Sequence, residues 1–291
     1  MNASTPSRFA RNFVAALAFA ALAAMLATPI YAQTVPAGGP RSYLGFDSNE
    51  YPGDGSLGEL RKTFAFAGYW LNAPPGADTN PWLGKRATLA ARDFGFLVLY
   101  NGRLEAELKR TPSPRRLGEQ DADRATTTAA HEGFPRGTVI FLDQEEGGRL
   151  LDQQMDYVQA WIARVINNGF RAGVYCSGIP VKDGKDKTIT TAEHIREEAH
   201  STEVAFFVYN DACPPSPGCA YRAPAPAASG TPFAAVWQFA QSPRRKEYTA
   251  RCAATYSKDG NCHPATGASA AISGALFDLD SATSPDPSDG R

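Results

Sequence analysis

Net charge is almost absent from this sequence. Its 291 residues carry 29 Lys and Arg against 30 Asp and Glu, a formal charge of −1. No global field steers it toward nucleic acid or an anionic membrane surface, and neither is expected as a partner. Histidine is scarce: His131, His194, His200 and His263 are the four, all in helix-like or loop segments. No Gly-x-Ser-x-Gly elbow is present, so catalysis of the serine-hydrolase type lacks its parts. No G-x-G-x-x-G runs directly out of a strand-like segment, and no Gly-Lys-Ser/Thr string occurs, which removes the usual nucleotide signatures. Without a C-x-x-C pair and a matching His pair, zinc is the weaker reading of the cysteines. Without a D-x-D-x-D-G loop, Ca²⁺ or Mg²⁺ is the minority reading of the acids. No cofactor and no metal are expected.

Cysteine is sparse too, with five in the chain. A chain this long stabilises itself by burial and needs no dense disulfide framework. Spacing pairs Cys213 with Cys219 and Cys252 with Cys262, although four cysteines allow other pairings. Cys176, within the apolar Arg171-Ala-Gly-Val-Tyr-Cys, is then a buried free thiol.

The content that remains, 43% hydrophobic and 20% charged, suits a globular chain with a sizeable core. Residues 1–32 stand apart from it. Arg8 and Arg11 precede an Ala-rich apolar run from Phe13, and Ala32 offers a small residue for cleavage, the pattern of a secretory signal peptide. A membrane anchor is the alternative, but the run is short and ends in a processing-like site. The expectation is therefore a secreted or periplasmic protein with no stable membrane insertion after cleavage. A Pro/Gly linker, residues 33–40, follows.

From residue 41 the chain alternates. Eight apolar, β-branched or aromatic runs read as strands: Tyr43 to Asp47, Phe66 to Leu71, Phe96 to Asn101, Thr138 to Asp143, Arg171 to Cys176, Val204 to Tyr209, Ala234 to Gln238 and Leu276 to Asp280. Helix-like segments lie between them at Gly84 to Asp93, Gly118 to Glu132, Asp152 to Asn168 and Thr190 to His200. The segment from Asp152 is the clearest: Met155, Val158, Trp161, Ile162 and Val165 make one apolar face, and Asn168-Gly169 supplies the stop. Trp161 is read as core packing. Alternation implies parallel pairing, and eight units over residues 41–283 match a (β/α)8 TIM-type barrel, a single α/β domain, with an open doubly wound sheet as runner-up. Asp211 to Pro232 reads as a long Pro/Gly/Ala-rich loop, and residues 284–291 as a disordered tail.

In such a barrel, chemistry gathers at the C-terminal strand ends. Asp47 closes the first run, Asn101 the third, Asp143 with Glu145 the fourth, Asn210-Asp211 the sixth, Gln238 the seventh, and Asp278 with Asp280 the eighth. Any one of these acids serves equally well as a helix N-cap. Asp143 and Glu145 share a face at spacing i, i+2 while Glu146 turns away, and two convergent carboxylates are the minimal equipment for cleaving a glycosidic bond. Repulsion and partial burial at one mouth raise at least one pKa and create a proton donor near neutrality. Tyr69, Trp82, Tyr100, Tyr209 and Trp237 are candidates for stacking on sugar rings; core packing is the alternative for Trp70 and Trp237, and Trp82, in a Pro/Gly-rich loop, is the preferred platform. The basic run Arg244-Arg245-Lys246 is read as solvated.

Four motifs carry a resemblance: Gly45-Phe46-Asp47, Gly68-Tyr69-Trp70-Leu71, Gly95 through Arg103, and Phe141-Leu142-Asp143-Gln144-Glu145. They resemble the glycoside-hydrolase-like domain of unknown function 1906, which is similar in turn to glycoside hydrolase family 25, the lysozyme-type muramidases. The resemblance spans roughly residues 41 to 283. It implies the barrel fold and hydrolysis of peptidoglycan or a related amino-sugar polysaccharide. It also implies Glu145 as general acid, Asp143 as stabiliser of the positive charge formed when the substrate's N-acetyl group attacks its anomeric carbon, and Asp47 and Asp278 as orienting groups. Substrate contacts are expected from Tyr69, Trp82, Tyr100, Asn101, Asp211, Trp237, Gln238 and Asp280. A monomer is expected, and a catalytically silent carbohydrate-binding barrel is the alternative.

Overall fold

The computed structural model describes residues 41–199, 203–263 and 276–291. The expected signal peptide and linker, residues 1–40, lie outside the described residues. Among the described residues, no helix is long and apolar enough to cross a membrane.

Ten strands form, in chain order β1 (Tyr43–Asp47), β2 (Phe66–Trp70), β3 (Gly95–Asn101), β4 (Val139–Asp143), β5 (Arg171–Ser177), β6 (Val181–Lys182), β7 (Thr188–Ile189), β8 (Ala205–Tyr209), β9 (Val236–Ala240) and β10 (Asp278–Ala282). Eight of them close a barrel, β1-β2-β3-β4-β5-β8-β9-β10 and back to β1, while β6 and β7 form a separate two-stranded sheet. This is the TIM-type architecture expected from the alternation. The strands are buried on both faces, as sequences such as Val-Ile-Phe-Leu in β4 require: one face fills the barrel and the other meets the surrounding layer.

The helical layer is uneven. It holds α1 (Leu57–Leu60), α2 (Arg86–Ala90), α3 (Glu105–Leu108), α4 (Pro114–His131), α5 (Asp152–Asn167) and α6 (Thr191–Glu198). Ser113 caps α4 through the Arg116 amide at 3.4 Å, with Pro114 at the first position. α5 buries Met155, Val158, Trp161, Ile162 and Val165. At the start of α6, Thr190 and Glu193 cap each other reciprocally, at 3.0 and 2.8 Å. The string Gly53-Asp-Gly-Ser-Leu-Gly58 has dinucleotide-like spacing, but residues 48–52 separate it from β1 and it opens only the four-residue α1, so the strand-turn-helix geometry of that motif is missing.

After β8 the described connections are loops with two short 3₁₀ segments, Pro226–Ser229 and Ala250–Thr255. Here the structure corrects the expected disulfides. Cys213 pairs with Cys252 and Cys219 with Cys262, at Cα separations of 5.8 and 5.3 Å. Pairing the nearest cysteines in sequence would close two small independent loops. The observed pairing ties the loop after β8 to the loop after β9, which already meet where the Cys213 amide donates to the Tyr248 carbonyl at 3.0 Å. Cys176 is a free, buried thiol.

Two further expectations are corrected. The final strand is antiparallel to both neighbours, β9 and β1. With no described helix to carry the chain back to the far end, β10 enters at the mouth and descends, so Asp278 begins the strand, opposite Asp47, rather than ending it. The second correction is the tail, which is ordered along the opposite end of the barrel. Asp286 Oδ1 accepts the Phe96 amide at 2.7 Å, Ser288 Oγ accepts the Val98 amide at 2.8 Å, and the Ser288 carbonyl accepts the Val139 amide at 2.8 Å. Gly95 makes room: a Cβ there would lie 2.0 Å from the Pro285 carbonyl oxygen. Composition alone reads this Pro/Ser/Asp segment as solvated, but the amides at the starts of β3 and β4 need acceptors, and the tail supplies them.

Candidate active site

The mouth is built by alternation along strands. Asp47 ends β1, and its inward course depends on Gly68 in β2, where a Cβ would lie 2.6 Å from that of Asp47. Asp143 ends β4, and the ladder continues one residue further through the Gln144 amide to the Tyr175 carbonyl at 2.9 Å. Residues 145 and 146 then part, as expected. Glu146 turns into the structure, accepting the Glu105 amide at 2.6 Å and the Gln144 side chain at 2.7 Å. Glu145 is exposed at the rim, held by its backbone carbonyl, which accepts the Tyr209 hydroxyl at 2.9 Å.

Asp47, Asp143, Glu145 and Asp278 line one cleft of about 130 Å³, with Trp70, Leu99, Phe207, Tyr175, Gln238 and Gln241 completing its walls. Gln238 is its hub. Its Nε2 donates to Asp47 at 2.7 Å and to Asp278 at 3.3 Å, while its Oε1 accepts the Tyr175 hydroxyl and the Gln241 amide, both at 2.7 Å. Asp278 also accepts the Ser242 amide at 2.5 Å. Asp143 Oδ1 is buried with no hydrogen-bond partner in the protein. Asp280, two residues below Asp278, is wholly buried beneath the cleft.

Crowding of carboxyls in a dry space sets their protonation. Burial raises Asp47 to about 6, against the pull of Gln238 and Asp280. Burial, then the charges of Glu145, Asp47 and Glu146, hold Asp143 well above the carboxylate range. Burial and the charge of Asp47 do the same for Asp278, and burial with Asp47 and Asp278 for Asp280. A neutral Asp280 can donate to Asp47, which accounts for its downward pull there. Glu145 is raised by burial and by Glu146, and lowered by Arg245.

These shifts have a stability consequence. A carboxyl whose folded pKa lies above its unfolded value binds the proton more tightly when folded, so stability falls as pH rises from the unfolded to the folded pKa. For Asp47, between 3.8 and about 6, the effect is about 3 kcal/mol. We expect the melting temperature to rise by about 5 °C or more between pH 7 and pH 4, and Asp47→Asn to flatten that rise in thermal melts. A melting temperature that falls steadily over this interval would contradict the buried cluster.

Not every expected contact reaches the mouth. Tyr69, Trp82 and Trp237 are fully buried and cannot stack on a ligand. Tyr69 donates to Glu132, Trp82 Nε1 to the Ser48 carbonyl at 3.0 Å, and Trp237 Nε1 to the Asn210 carbonyl at 2.9 Å. The loop carrying Trp82 folds back over β2, so its polar composition masked a core residue. Asp211 is fully buried and paired with Arg245, and Asp280 is sealed from the cleft mouth. Tyr100 and Asn101 line a neighbouring groove instead. Trp70, a stacking candidate with core packing as its alternative, lines the cleft, and the residues missed in sequence are Tyr175, Gln241 and Arg245. Arg245 is not solvated: Asp211 holds it through Nε at 3.0 Å and through Nη2, and it lies over the rings of Tyr209 and Tyr248 at 5.0 and 4.7 Å. Three consecutive basic residues gave no sign of which one turns inward. Among the described residues no group of three or more metal-ligating side chains is placed to hold an ion.

Residues 72–206 match the family model of the Rv2525c-like, glycoside hydrolase-like domain. That segment contains Asp143 and Glu145, whereas Asp47, Gln238 and Asp278 lie outside it. No curated protein matches the chain significantly. Among solved structures, an uncharacterized B. stearothermophilus protein aligns at 17% identity and TM-score 0.51, over 82% of this chain and 94% of its own, which shows a shared fold. The Tat-secreted protein Rv2525c of Mycobacterium tuberculosis aligns at 13% and 0.49, over 83% and 95%. The modular autolysin LytC of Streptococcus pneumoniae aligns at 10% and 0.46, over 84% of this chain and 47% of its own. Residues 72–206 are thus similar to the Rv2525c-like, glycoside hydrolase-like domain, and two acids of the cleft lie within that match.

Proposed function

We propose that this chain is an exported glycoside hydrolase that cleaves peptidoglycan or a related amino-sugar polysaccharide. The observation that carries the reading is the convergence of Asp47, Asp143, Glu145 and Asp278 on one cleft at the end of the barrel where the parallel strands finish and β10 begins. Glycoside cleavage needs a carboxyl that keeps its proton near neutrality and still reaches the departing oxygen. Glu145 stands at the exposed rim, and burial and the charge of Glu146 raise its pKa, which favours the protonated form. Its proton passes to the glycosidic oxygen as the bond to the anomeric carbon breaks, and the substrate's own acetamido oxygen bonds to that carbon. Asp143, with Oδ1 free of protein partners, faces the charge that forms; a positive centre in the cleft favours its ionised form. The Glu145 carboxylate then takes a proton from the water that opens the intermediate. Asp47 and Asp278, bridged by Gln238, orient water or substrate. The N-terminal signal-like segment and the two disulfides support export, where a disulfide persists.

The test is release of soluble reducing ends from purified peptidoglycan and a panel of polysaccharides by residues 33–291. Release is expected, with an alkaline limb to the pH profile because activity is lost as Glu145 deprotonates. One observation favours a second reading, a carbohydrate-binding barrel without turnover: burial raises the pKa of Asp143, Asp278 and Asp280 and so disfavours the ionised forms that would stabilise a cation. Binding without release on every substrate would establish that reading and overturn the first.

A further inference from the structure

A groove of about 600 Å³ lies beside the acid cleft and shares Pro75 and Glu145 with it. Glu145 is therefore the boundary between two spaces, one small and acidic and the other larger. The wall of the groove is built on Asp121 of α4, which is completely buried. Its carboxylate accepts Arg103 Nε at 2.8 Å and Nη2 at 3.1 Å, Arg124 Nη1 at 3.1 Å, and the Tyr157 hydroxyl at 3.0 Å. A buried carboxylate persists only when paired, and here the pairing fixes two guanidinium groups on the groove wall. Arg124 commits one nitrogen to Asp121, and its side chain is 61% exposed. Across from it, Asn101 is pinned: its amide nitrogen donates to Asn72 Oδ1 at 2.7 Å and its Nδ2 to the Ala73 carbonyl at 2.9 Å. That leaves Oδ1 as an acceptor. Arg103 also pairs with Glu107 at 3.2 Å, so the two arginines are offset by Asp121 and Glu107. A wall of fixed donors and acceptors suits a polyhydroxylated ligand that carries amide groups.

We propose that this groove is the subsite for the leaving-group side of the glycan. On this assignment Arg124 donates to, and Asn101 accepts from, the amino-sugar units beyond the scissile bond, which places the oxygen linking them to the unit in the cleft against Glu145. The assignment rests on the glycoside hydrolase reading of the cleft. The larger volume of the groove sets the expected length dependence: longer glycans gain contacts that the cleft alone does not offer.

The experiment measures binding of peptidoglycan glycan fragments of two, four and six sugars to the Glu145→Gln protein by calorimetry, alone and combined with Arg124→Ala or Asn101→Ala. Affinity is expected to rise about tenfold or more from two sugars to four, and each added substitution to weaken the tetrasaccharide about tenfold. Arg124→Ala removes one partner of the buried Asp121 and Asn101→Ala the side-chain contact to the Ala73 carbonyl, so circular dichroism checks the folding of both variants. Affinity that is independent of length, or unmoved by both substitutions, would overturn the assignment, as would absence of binding. Reducing-end release by the wild-type protein is scored separately. Release without dependence on Arg124 and Asn101 rejects the groove and keeps the hydrolase, whereas dependence without release rejects the hydrolase and with it the leaving-group assignment, leaving the groove as a glycan-binding surface.

Discussion

Replacing Glu145 by glutamine is expected to lower release of reducing ends from peptidoglycan by about 10²- to 10⁴-fold, the range for loss of a general acid. Stability should hardly change, because the fold grips residue 145 by its backbone carbonyl through Tyr209 and leaves the side chain at the rim. Glu146→Gln is the matched control. That carboxylate accepts the Glu105 amide and the Gln144 side chain, so its loss should reduce the melting temperature while most turnover survives. If the two variants behave alike in both measurements, the division of labour between adjacent acids is wrong. Equal turnover in wild type and Glu145→Gln would remove the acid assignment altogether.

Deleting residues 284–291 should destabilise the barrel by about 3–9 kcal/mol in urea titrations. The amides of Phe96, Val98 and Val139 lose their acceptors in the tail, and a buried donor left unpaired costs about 1–3 kcal/mol. Gly95→Ala should reproduce part of the loss without shortening the chain, since its methyl group would displace the Pro285 carbonyl. An unchanged midpoint in both variants would mean that water satisfies those amides as well as the tail does. The exposed Arg171–Asp289 pair, at 2.7 Å, adds little to the total.

The sequence made the barrel legible because strand identity is local. Runs such as Val139 to Leu142 are apolar throughout, α5 repeats its apolar face every three to four residues, and each announces its own conformation. The acids at the mouth were legible for the same reason, since residue parity along a strand decides which face a side chain takes. What was hidden depends on contacts between distant segments. The direction of β10 follows from how the chain returns to the sheet, the cross-pairing of the cysteines from two loops meeting in space, and the order of the tail from amides nearly two hundred residues upstream. Trp82 and Arg245 show the same limit on single side chains: one was read as exposed from its loop and the other as solvated from its charge. Each is fixed by a partner, the Ser48 carbonyl or Asp211, that no local pattern reveals.

The reversed direction of β10 also decides which way the molecule can be held. A final strand running with the others would release the chain at the cleft, across the path of any polymer lying there. Running against them, β10 delivers the last residues to the far end of the barrel, where the Arg291 guanidinium donates to the Asp93 carbonyl at 2.9 Å. An anchor, tag or second module joined after Arg291 would therefore emerge on the side opposite the acids. The protein could be tethered to a bead or a surface by that end with its cleft facing outward.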